Sequence, residues 1–198
     1  MTPTPDQVRR NRRLLLLIVA LFLGSMLVAG ALRFSGWRPA NTKNNGELLD
    51  PPGDLRALTP RLADGAEYRW EPVARRWRIA LAPPAACGDA CARVADQVDL
   101  VWQLLGRKAD HVDVLWLCPA EGDCAVPGRL AREPSLRRVR FDAALRAGLP
   151  RNTIDPASLE RGLPVYVIDP NGFVILRYAP GFDPAGLRQD LGKLLRLM

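Results

Sequence analysis

The sequence predicts an α/β fold, with a central mixed sheet flanked by helices, after a single N-terminal transmembrane helix. Short apolar runs at Trp77–Leu81 and Val112–Leu117 enclose a helical pattern, and this order predicts a right-handed βαβ unit. Two further strand patterns surround the turn formers Asp169–Gly172, which indicates a β-hairpin. Residues 14–32 form a run of 19 uncharged, mainly apolar residues, and this run predicts the transmembrane helix.

The N-terminal run is typical of a single-pass anchor. At about 1.5 Å per residue, such a helix just crosses a hydrocarbon core of about 30 Å. Four arginines lie in the basic tail, residues 1–13, so the positive-inside rule places the N-terminus in the cytoplasm. The C-terminal domain is then periplasmic, and the anchor lies in a bacterial inner membrane. The alternative is a signal peptide cleaved near Ala29–Ala31, but this run is longer than the usual core of about 7–15 residues.

The charge distribution gives no sign of nucleic-acid binding. The net charge is +7, from 28 basic and 21 acidic residues. Four tail arginines against Asp6 account for +3, and the rest is spread out, without the dense stripe that follows a phosphate backbone. Arg137, Arg138 and Arg140 form the other tight cluster. We interpret this cluster as a solvated face; the alternative is a contact surface for an acidic partner.

Residues 33–56 are predicted to link the anchor to the domain, which follows at residues 57–198. The linker is rich in Pro, Asn and Gly and has no periodicity, so it is a tether or an extended segment lying on the domain. The remaining predicted elements are a short strand at Tyr68–Glu71, a helix at Asp89–Leu105, a short helix near Phe141–Ala147, a helical turn at Asp155–Glu160, hairpin strands at Leu163–Ile168 and Phe173–Tyr178, and a last helix capped by Asp183.

Cys87 and Cys91 stand where a buried strand leads into a helix. The dipole and free N–H groups of a helix start favour a thiolate, which attacks disulfides or binds a soft metal. The alternative is a permanent structural disulfide, although closing so short a loop adds little stability.

Cys118 and Cys124 are predicted to form a second, structural disulfide that fastens a turn. Because the carboxyl ends of parallel strands meet at one edge, Cys118 is also expected near Cys87 and Cys91, where it can serve as a further thiol ligand or a relay. His111 precedes the second strand. At about 3.3 Å per residue it lies roughly 20 Å from that edge, so we interpret it as a surface or structural residue.

The chain resembles the Sco/SenC family, whose domains have a thioredoxin-like fold and help to assemble the copper centre of cytochrome c oxidase. The resemblance rests on three motifs: CxxxC at Cys87 and Cys91, LCPAEGD at 117–123, and VIDPNGFVILRY at 167–178. That family binds copper with two cysteines and a histidine before the hairpin. Here the matching place, Arg161–Val165, has no histidine. Copper binding in the manner of that family is therefore in doubt.

Leu163 and Pro164 instead match the position of the thioredoxin cis-proline, which packs against the active-site disulfide. We therefore expect a cis bond at Pro164, the alternative being a trans proline that starts a strand. This combination favours thiol–disulfide exchange, with Cys87 attacking and Cys91 resolving the mixed disulfide. The expected partners are a cytochrome c oxidase subunit or copper-chaperone assembly factors. The alternatives are a chaperone that holds Cu(I) with the same two thiols, or a redox-inactive scaffold.

Overall fold

The structure is a computed structural model that describes residues 5–35, 43–85, 88–119 and 124–196. The chain divides into two compact units, residues 1–42 and residues 43–198. In the first unit, α1 (Pro5–Phe34) is a helix of 30 residues without a buried residue. Its most apolar window has a mean hydropathy of 2.7, so it is long and apolar enough to cross a membrane. The predicted anchor is therefore a single continuous helix.

The second unit is built on a six-stranded mixed sheet. The strands are β1 (Glu47–Asp54), β2 (Trp77–Leu81), β3 (Val112–Cys118), β4 (Leu136–Arg140), β5 (Val165–Ile168) and β6 (Phe173–Tyr178). Their order across the sheet is β1-β6-β5-β2-β3-β4. The pairs β2–β3 and β3–β4 are parallel, whereas β5 pairs antiparallel with both β2 and β6, and β1 antiparallel with β6.

Within the described part of this unit, four α-helices accompany the sheet: α2 (Gly88–Leu104), α3 (Ala143–Gly148), α4 (Pro156–Leu159) and α5 (Pro184–Leu194). The βαβ unit of β2, α2 and β3, the hairpin and the last helix agree with the sequence prediction. Asp183 caps α5 as expected, because its carboxylate accepts a hydrogen bond from Ala185 N at 2.9 Å. A side-chain oxygen in this position satisfies one of the free N–H groups of the helix start.

Both faces of the sheet are covered, which explains why the central strands read as unbroken apolar runs. Along β2, Ile79 and Leu81 join a core cluster that includes residues of α2 and α5. Their neighbour Ala80 joins a second cluster with residues of α3. Every residue of β2 and β3 is buried. This burial holds the ends of the two strands rigidly at one edge of the sheet.

The two edge strands were not predicted. Strand β1 lies inside the predicted linker, residues 33–56, and brings the buried Leu49 into the core. The domain therefore begins before residue 57. Strand β4 lies in the arginine cluster, where Arg138 and Arg140 are exposed and Val139 is buried. Among the described strands, β1 pairs with β6 alone, and the outer side of β4 has only a short bridge from Leu62 to Val139. Most residues of the two strands therefore face water and their apolar pattern is weak.

The predicted strand at Tyr68–Glu71 is also wrong: none of these four residues is in a strand or bridge, and the nearest bridge joins Glu67, just before them, to Arg61. The segment instead supplies two rings to a buried arginine. Arg78, in the middle of the sheet, is 1% exposed and lies 5.1 Å from the Trp70 ring. Its Nη1 donates to the carbonyls of Asp169 and Pro170 at 3.1 and 3.2 Å. Arg78 thereby fastens the hairpin turn to β2.

Asp190 fastens the start of the domain to α5. This carboxylate is 1% exposed and accepts hydrogen bonds from Asn45 N at 2.7 Å and Gly46 N at 3.0 Å. It also accepts from Tyr178 Oη at 2.8 Å and Lys193 Nζ at 3.0 Å. Burial and the neighbouring carboxylate raise the pKa of Tyr178, so its hydroxyl stays protonated and donates. The segment that leads into β1 is thus tied to the folded domain.

Candidate functional site

The candidate site lies at the edge of the sheet where β2 and β3 end. Leu81 pairs with Trp116 in the parallel ladder, so the chain leaves both strands at the same edge. Helix α2 begins at Gly88, in the connection that follows β2. Cys91 lies in the first turn of α2 and is 4% exposed. The structure therefore places Cys91 at a helix start beside the carboxyl ends of two central strands, where functional groups gather in such sheets.

A pocket of about 290 Å³ opens beside Cys91. Most of its wall is proline and other apolar side chains; the lining residues are Pro83, Pro84, Ala85, Gly88, Cys91, Trp116, Pro119, Ala125 and Pro127. None of the described residues that line this pocket carries a cationic side chain. The helix start itself is the source of stabilisation for a negative sulfur at this place, through its dipole and N–H groups.

The sulfur of Cys91 is disulfide-bonded. Cys87 lies outside the described residues, so the pairing of Cys87 with Cys91 and the role of Cys87 stay predictions. The described part of the first turn does agree with the predicted placement, because α2 begins one residue after Cys87. Asp89 is exposed in the same turn, where its negative charge opposes thiolate formation nearby.

Cys118 and Cys124 form a disulfide with a Cα–Cα distance of 5.0 Å. Cys118 ends β3 and is buried, and Cys124 is half-buried. Pro119 and Ala125, the residues directly after these two cysteines, line the same pocket as Cys91. The structure thus brings the second disulfide to the border of the Cys91 pocket, as the parallel arrangement of β2 and β3 led us to expect.

Pro164 is buried directly before β5, but the expected cis bond is wrong. Among the described residues, the one cis peptide bond joins Asp50 and Pro51, so the Leu163–Pro164 bond is trans. Pro164 precedes the first paired residue of β5, Val165. In that position a proline need not donate to the ladder, so a trans proline fits an interior strand.

The segment before Pro164 nevertheless packs against the helix that carries Cys91. Gly162 has a φ of +126°, and a Cβ at this position would meet Val94 Cγ2 at 2.9 Å. Val94 is one turn beyond Cys91 on α2. A glycine therefore allows this close approach, and Leu163 joins the same buried cluster as Cys91. Arg93 adds a second contact, since its Nη2 donates to the carbonyl of Glu160 at 2.8 Å.

His111 is exposed and directly precedes β3, at the end of that strand opposite to Cys118. The length of strand β3 separates it from the end of the sheet where Cys91 lies, as predicted. Within residues 5–35, 43–85, 88–119 and 124–196, His, Cys, Asp and Glu side chains form no group of three that could hold a metal ion. The single histidine of the sequence, His111, lies at the other end of β3 and is not a donor beside Cys91. Two thiols are the sulfur ligands that the CxxxC motif can supply.

A second cavity, which sequence reasoning missed, adjoins the first along the ridge of Pro83, Pro84 and Pro119. It has a volume of about 370 Å³ and is closed on its far side by residues that follow β4, among them Phe141 and Arg146. The Arg146 guanidinium lies 4.3 Å from the centre of the Phe141 ring. No local motif marks these residues, because the fold brings them to this place from the segment that follows β4.

Comparison with known proteins confirms the fold. The family model described as transmembrane-like, thioredoxin-like, C-terminal domain matches residues 77–198. A search of curated proteins finds no match. Among solved structures, copper-bound yeast Sco1 has a TM-score of 0.52 at 16% identity, with 80% of this chain and 96% of that chain covered. A SCO1/SenC family lipoprotein from Bacillus anthracis has a TM-score of 0.53 at 13% identity, with 74% and 98% covered.

BsSco, a member of the Sco family of cytochrome c oxidase assembly proteins in which a disulfide switch was identified, has a TM-score of 0.51 at 12% identity. Here 82% of this chain and 100% of that chain are covered. The predicted fold, a mixed sheet flanked by helices in a thioredoxin-like arrangement, is confirmed, and so is the resemblance to Sco/SenC proteins.

Proposed function

Because the chain belongs to the family of transmembrane-like, thioredoxin-like C-terminal domains, we propose that it is a membrane-anchored thiol–disulfide exchange protein. The active pair is Cys87 and Cys91. One observation carries the proposal: a disulfide-bonded Cys91 lies in the first turn of α2, on the wall of an open pocket. A disulfide with a purely structural role does not require a pocket beside its sulfur atoms.

The proposed exchange follows from the order of the two cysteines. Cys87 precedes the helix, so its thiolate attacks a disulfide of the partner, and a mixed disulfide forms while one partner thiolate leaves. The thiolate of Cys91, one turn further on, then attacks Cys87 Sγ and releases the second partner thiolate. The partner gains two electrons, and the Cys87–Cys91 disulfide forms. The reverse sequence oxidises a partner dithiol. Pro164 takes no part in these steps; its neighbour Leu163 packs in the same buried cluster as Cys91.

We propose that the exchange takes place in the periplasm of a bacterium, with α1 in the inner membrane and the N-terminus in the cytoplasm. The basic tail before the apolar run supports this orientation. The proposed partner is a cytochrome c oxidase subunit or a copper-chaperone assembly factor whose cysteines require reduction or oxidation. Support for this partner class comes from BsSco, a member of the Sco family of cytochrome c oxidase assembly proteins that shares this fold. The membrane is the second partner, and nucleic acid is not one.

Trapping of the mixed disulfide tests the exchange. The reduced Cys91→Ser variant is incubated with oxidised glutathione, and adducts are located by mass spectrometry. We expect a stable glutathione adduct on Cys87, because the resolving thiol is absent. The matched Cys87→Ser variant is expected to form far less adduct, since Cys91 is buried. Equal and slow labelling of both variants, at the rate of unfolding, would contradict the proposal.

A second candidate function is delivery of Cu(I) as cargo by the same two thiols. The observation that favours it is the shared fold with yeast Sco1, which was crystallised with copper. Two thiolates suit a soft ion such as Cu(I). Anaerobic titration of the reduced protein separates the candidates: a chaperone retains one Cu(I) per chain and loses it in Cys87→Ser, whereas an exchange protein retains none after removal of weakly bound metal.

A further inference from the structure

We propose that the Cys118–Cys124 disulfide is a second redox pair that exchanges electrons with Cys87 and Cys91 inside the chain. The inference rests on the proposed function, because it requires that Cys91 alternates between a thiol and a disulfide. It goes beyond that function by giving the second disulfide, which otherwise only fastens a turn, a part in the chemistry. With both cysteine pairs reduced, one domain would store two electron pairs. One electron pair could then pass from one pair of cysteines to the other.

The first support for the relay is the shared pocket. Cys91 lines the pocket directly, and so do Pro119 and Ala125, the residues that follow the two cysteines of the second disulfide. Trp116, two residues before Cys118 on β3, lines the same pocket. Cys91 and Cys118 also belong to one buried apolar cluster, and Cys124 packs against it. All three sulfurs therefore border one small region at the edge of the sheet.

The second support is that the backbone holds Cys118 in place more firmly than it holds Cys124. Cys118 ends an interior strand, pairs with Arg140 in the ladder and accepts a backbone hydrogen bond from Phe141 N at 3.0 Å. Its Sγ lies 3.7 Å from the Trp116 carbonyl. Cys124 lies in a loop, outside any strand or helix, and is half-buried. Cys124 is therefore the sulfur that can turn towards Cys91, and Cys118 is the leaving group that the sheet retains.

The relay step conserves atoms and electrons. The Cys91 thiolate attacks Cys124 Sγ, so a Cys91–Cys124 bond forms, the Cys118–Cys124 bond breaks and Cys118 leaves as a thiolate. The Cys87 thiolate then attacks Cys91 Sγ, which forms the Cys87–Cys91 bond and releases Cys124. Two electrons have passed from the first pair to the second. The two protons that Cys87 and Cys91 gave up end on Cys118 and Cys124, and no external oxidant is consumed.

A purely structural role explains the second disulfide less well. Its cysteines are separated by six positions in the sequence, and a bridge that closes so short a loop constrains the unfolded chain less than one that closes a long loop. Cys118 is, in addition, already held by strand pairing, so the bridge adds little order on the β3 side. A bridge used for exchange needs access to another sulfur more than it needs a long loop, and the shared pocket supplies that access.

Peptide mapping of the full-length Cys87→Ser variant tests the relay. Trypsin cleaves after Arg78, Arg93, Lys108 and Arg129, which gives peptide 79–93 with Cys91 and peptide 109–129 with Cys118 and Cys124. In this variant Cys91 has no Cys87 to pair with. The relay predicts that most molecules contain peptide 79–93 joined to peptide 109–129, with one free thiol. Cleavage after Glu121 then identifies the joined sulfur, and we expect Cys124.

The Cys91→Ser variant is the matched control, because it leaves Cys87 as the single unpaired thiol in the same turn region. Random exchange in partly unfolded molecules would link either cysteine, whereas the relay predicts about tenfold less cross-linked peptide in this control. Far-UV circular dichroism shows whether both variants retain the fold. The relay is overturned if folded Cys87→Ser keeps a free Cys91 and an intact bridge within peptide 109–129. Glutathione trapping on Cys91→Ser remains an independent test of the proposed function in that case.

Discussion

Asp190 is a buried residue whose substitution we expect to destabilise the domain without touching the cysteines. Its carboxylate receives two backbone N–H groups from Asn45 and Gly46, the Tyr178 hydroxyl and the Lys193 ammonium. Asp190→Asn replaces an acceptor oxygen by an amide that faces these donors. We expect a loss of about 1–3 kcal/mol in the free energy of unfolding, measured by urea denaturation. Asp110→Asn, on an exposed carboxylate, should change stability by less than about 0.5 kcal/mol.

The same carboxylate makes the domain sensitive to acid. Burial alone would raise the pKa of Asp190, but hydrogen bonds from Gly46, Lys193, Tyr178 and Asn45 outweigh it and hold this pKa below its ordinary value of 3.8. Its contribution is therefore complete above the unfolded pKa and is lost as the pH falls below about 4. Wild type should lose more stability than Asp190→Asn between about pH 5 and pH 3. Parallel acid titrations of the two proteins would contradict this assignment.

Single residues also mark the limit of prediction from the sequence. Asp183 was predictable as a cap, because an Asp–Pro pair before an apolar pattern has one common structural meaning. Asp190 was not, since nothing in its own helix indicates that the partners are Asn45 and Gly46, some 145 residues away in sequence. The trans bond at Pro164 was likewise not predictable: a proline before a strand fits either isomer, and the register of β5 decides between them.

At the scale of elements, the two Asp–Pro helix starts form a matched pair. Asp183 accepts a hydrogen bond from Ala185 N at the start of α5, whereas Asp155 makes no side-chain hydrogen bond at the start of α4. Asp183→Ala should therefore lower the free energy of unfolding by about 1 kcal/mol, and Asp155→Ala by clearly less. Urea denaturation of both variants measures the difference. Equal losses would show that the cap bond does not stabilise α5.

Strand β1 gives a second prediction at this scale, since it extends the domain beyond the boundary at residue 57. Leu49 is buried and its neighbour Leu48 is 46% exposed. Leu49→Ala should cost about 2–4 kcal/mol, and Leu48→Ala less than about 0.5 kcal/mol. A fragment of residues 43–198 should unfold cooperatively, whereas residues 57–198 should aggregate because β6 becomes an open edge. A stable, monomeric 57–198 fragment would contradict this role of β1.

The strands that the sequence predicted well share one property: both of their faces pack against apolar side chains. Strands β2 and β3 are buried throughout, so their boundaries follow directly from apolar runs. Strand β1 carries Pro51, Pro52 and Gly53, residues that ordinarily break a strand pattern. It forms because β6 offers it a partner, and a partner distant in sequence leaves no local signal.

For the whole molecule, the orientation in the membrane is a prediction that can be tested in cells. Residues 5–35 contain one apolar helix, and four arginines precede its apolar part. Alkaline phosphatase, which needs disulfides formed in the periplasm, should be active when fused after Met198 and inactive when fused before Met1. The opposite pattern would reverse the proposed topology and place the cysteines in a reducing compartment, where the proposed exchange would have no disulfide partner.

The central claim for the whole molecule is that Cys87 and Cys91 are a working redox pair. The most direct test is the reduction potential of this pair in the full-length protein, read from the thiol state of peptide 79–93 after equilibration in defined dithiol buffers. The account predicts reversible reduction between about −300 and −120 mV, the range of exchange proteins. A disulfide that stays intact well below about −300 mV, or that opens only when the domain unfolds, would mean that the cysteines form a structural staple.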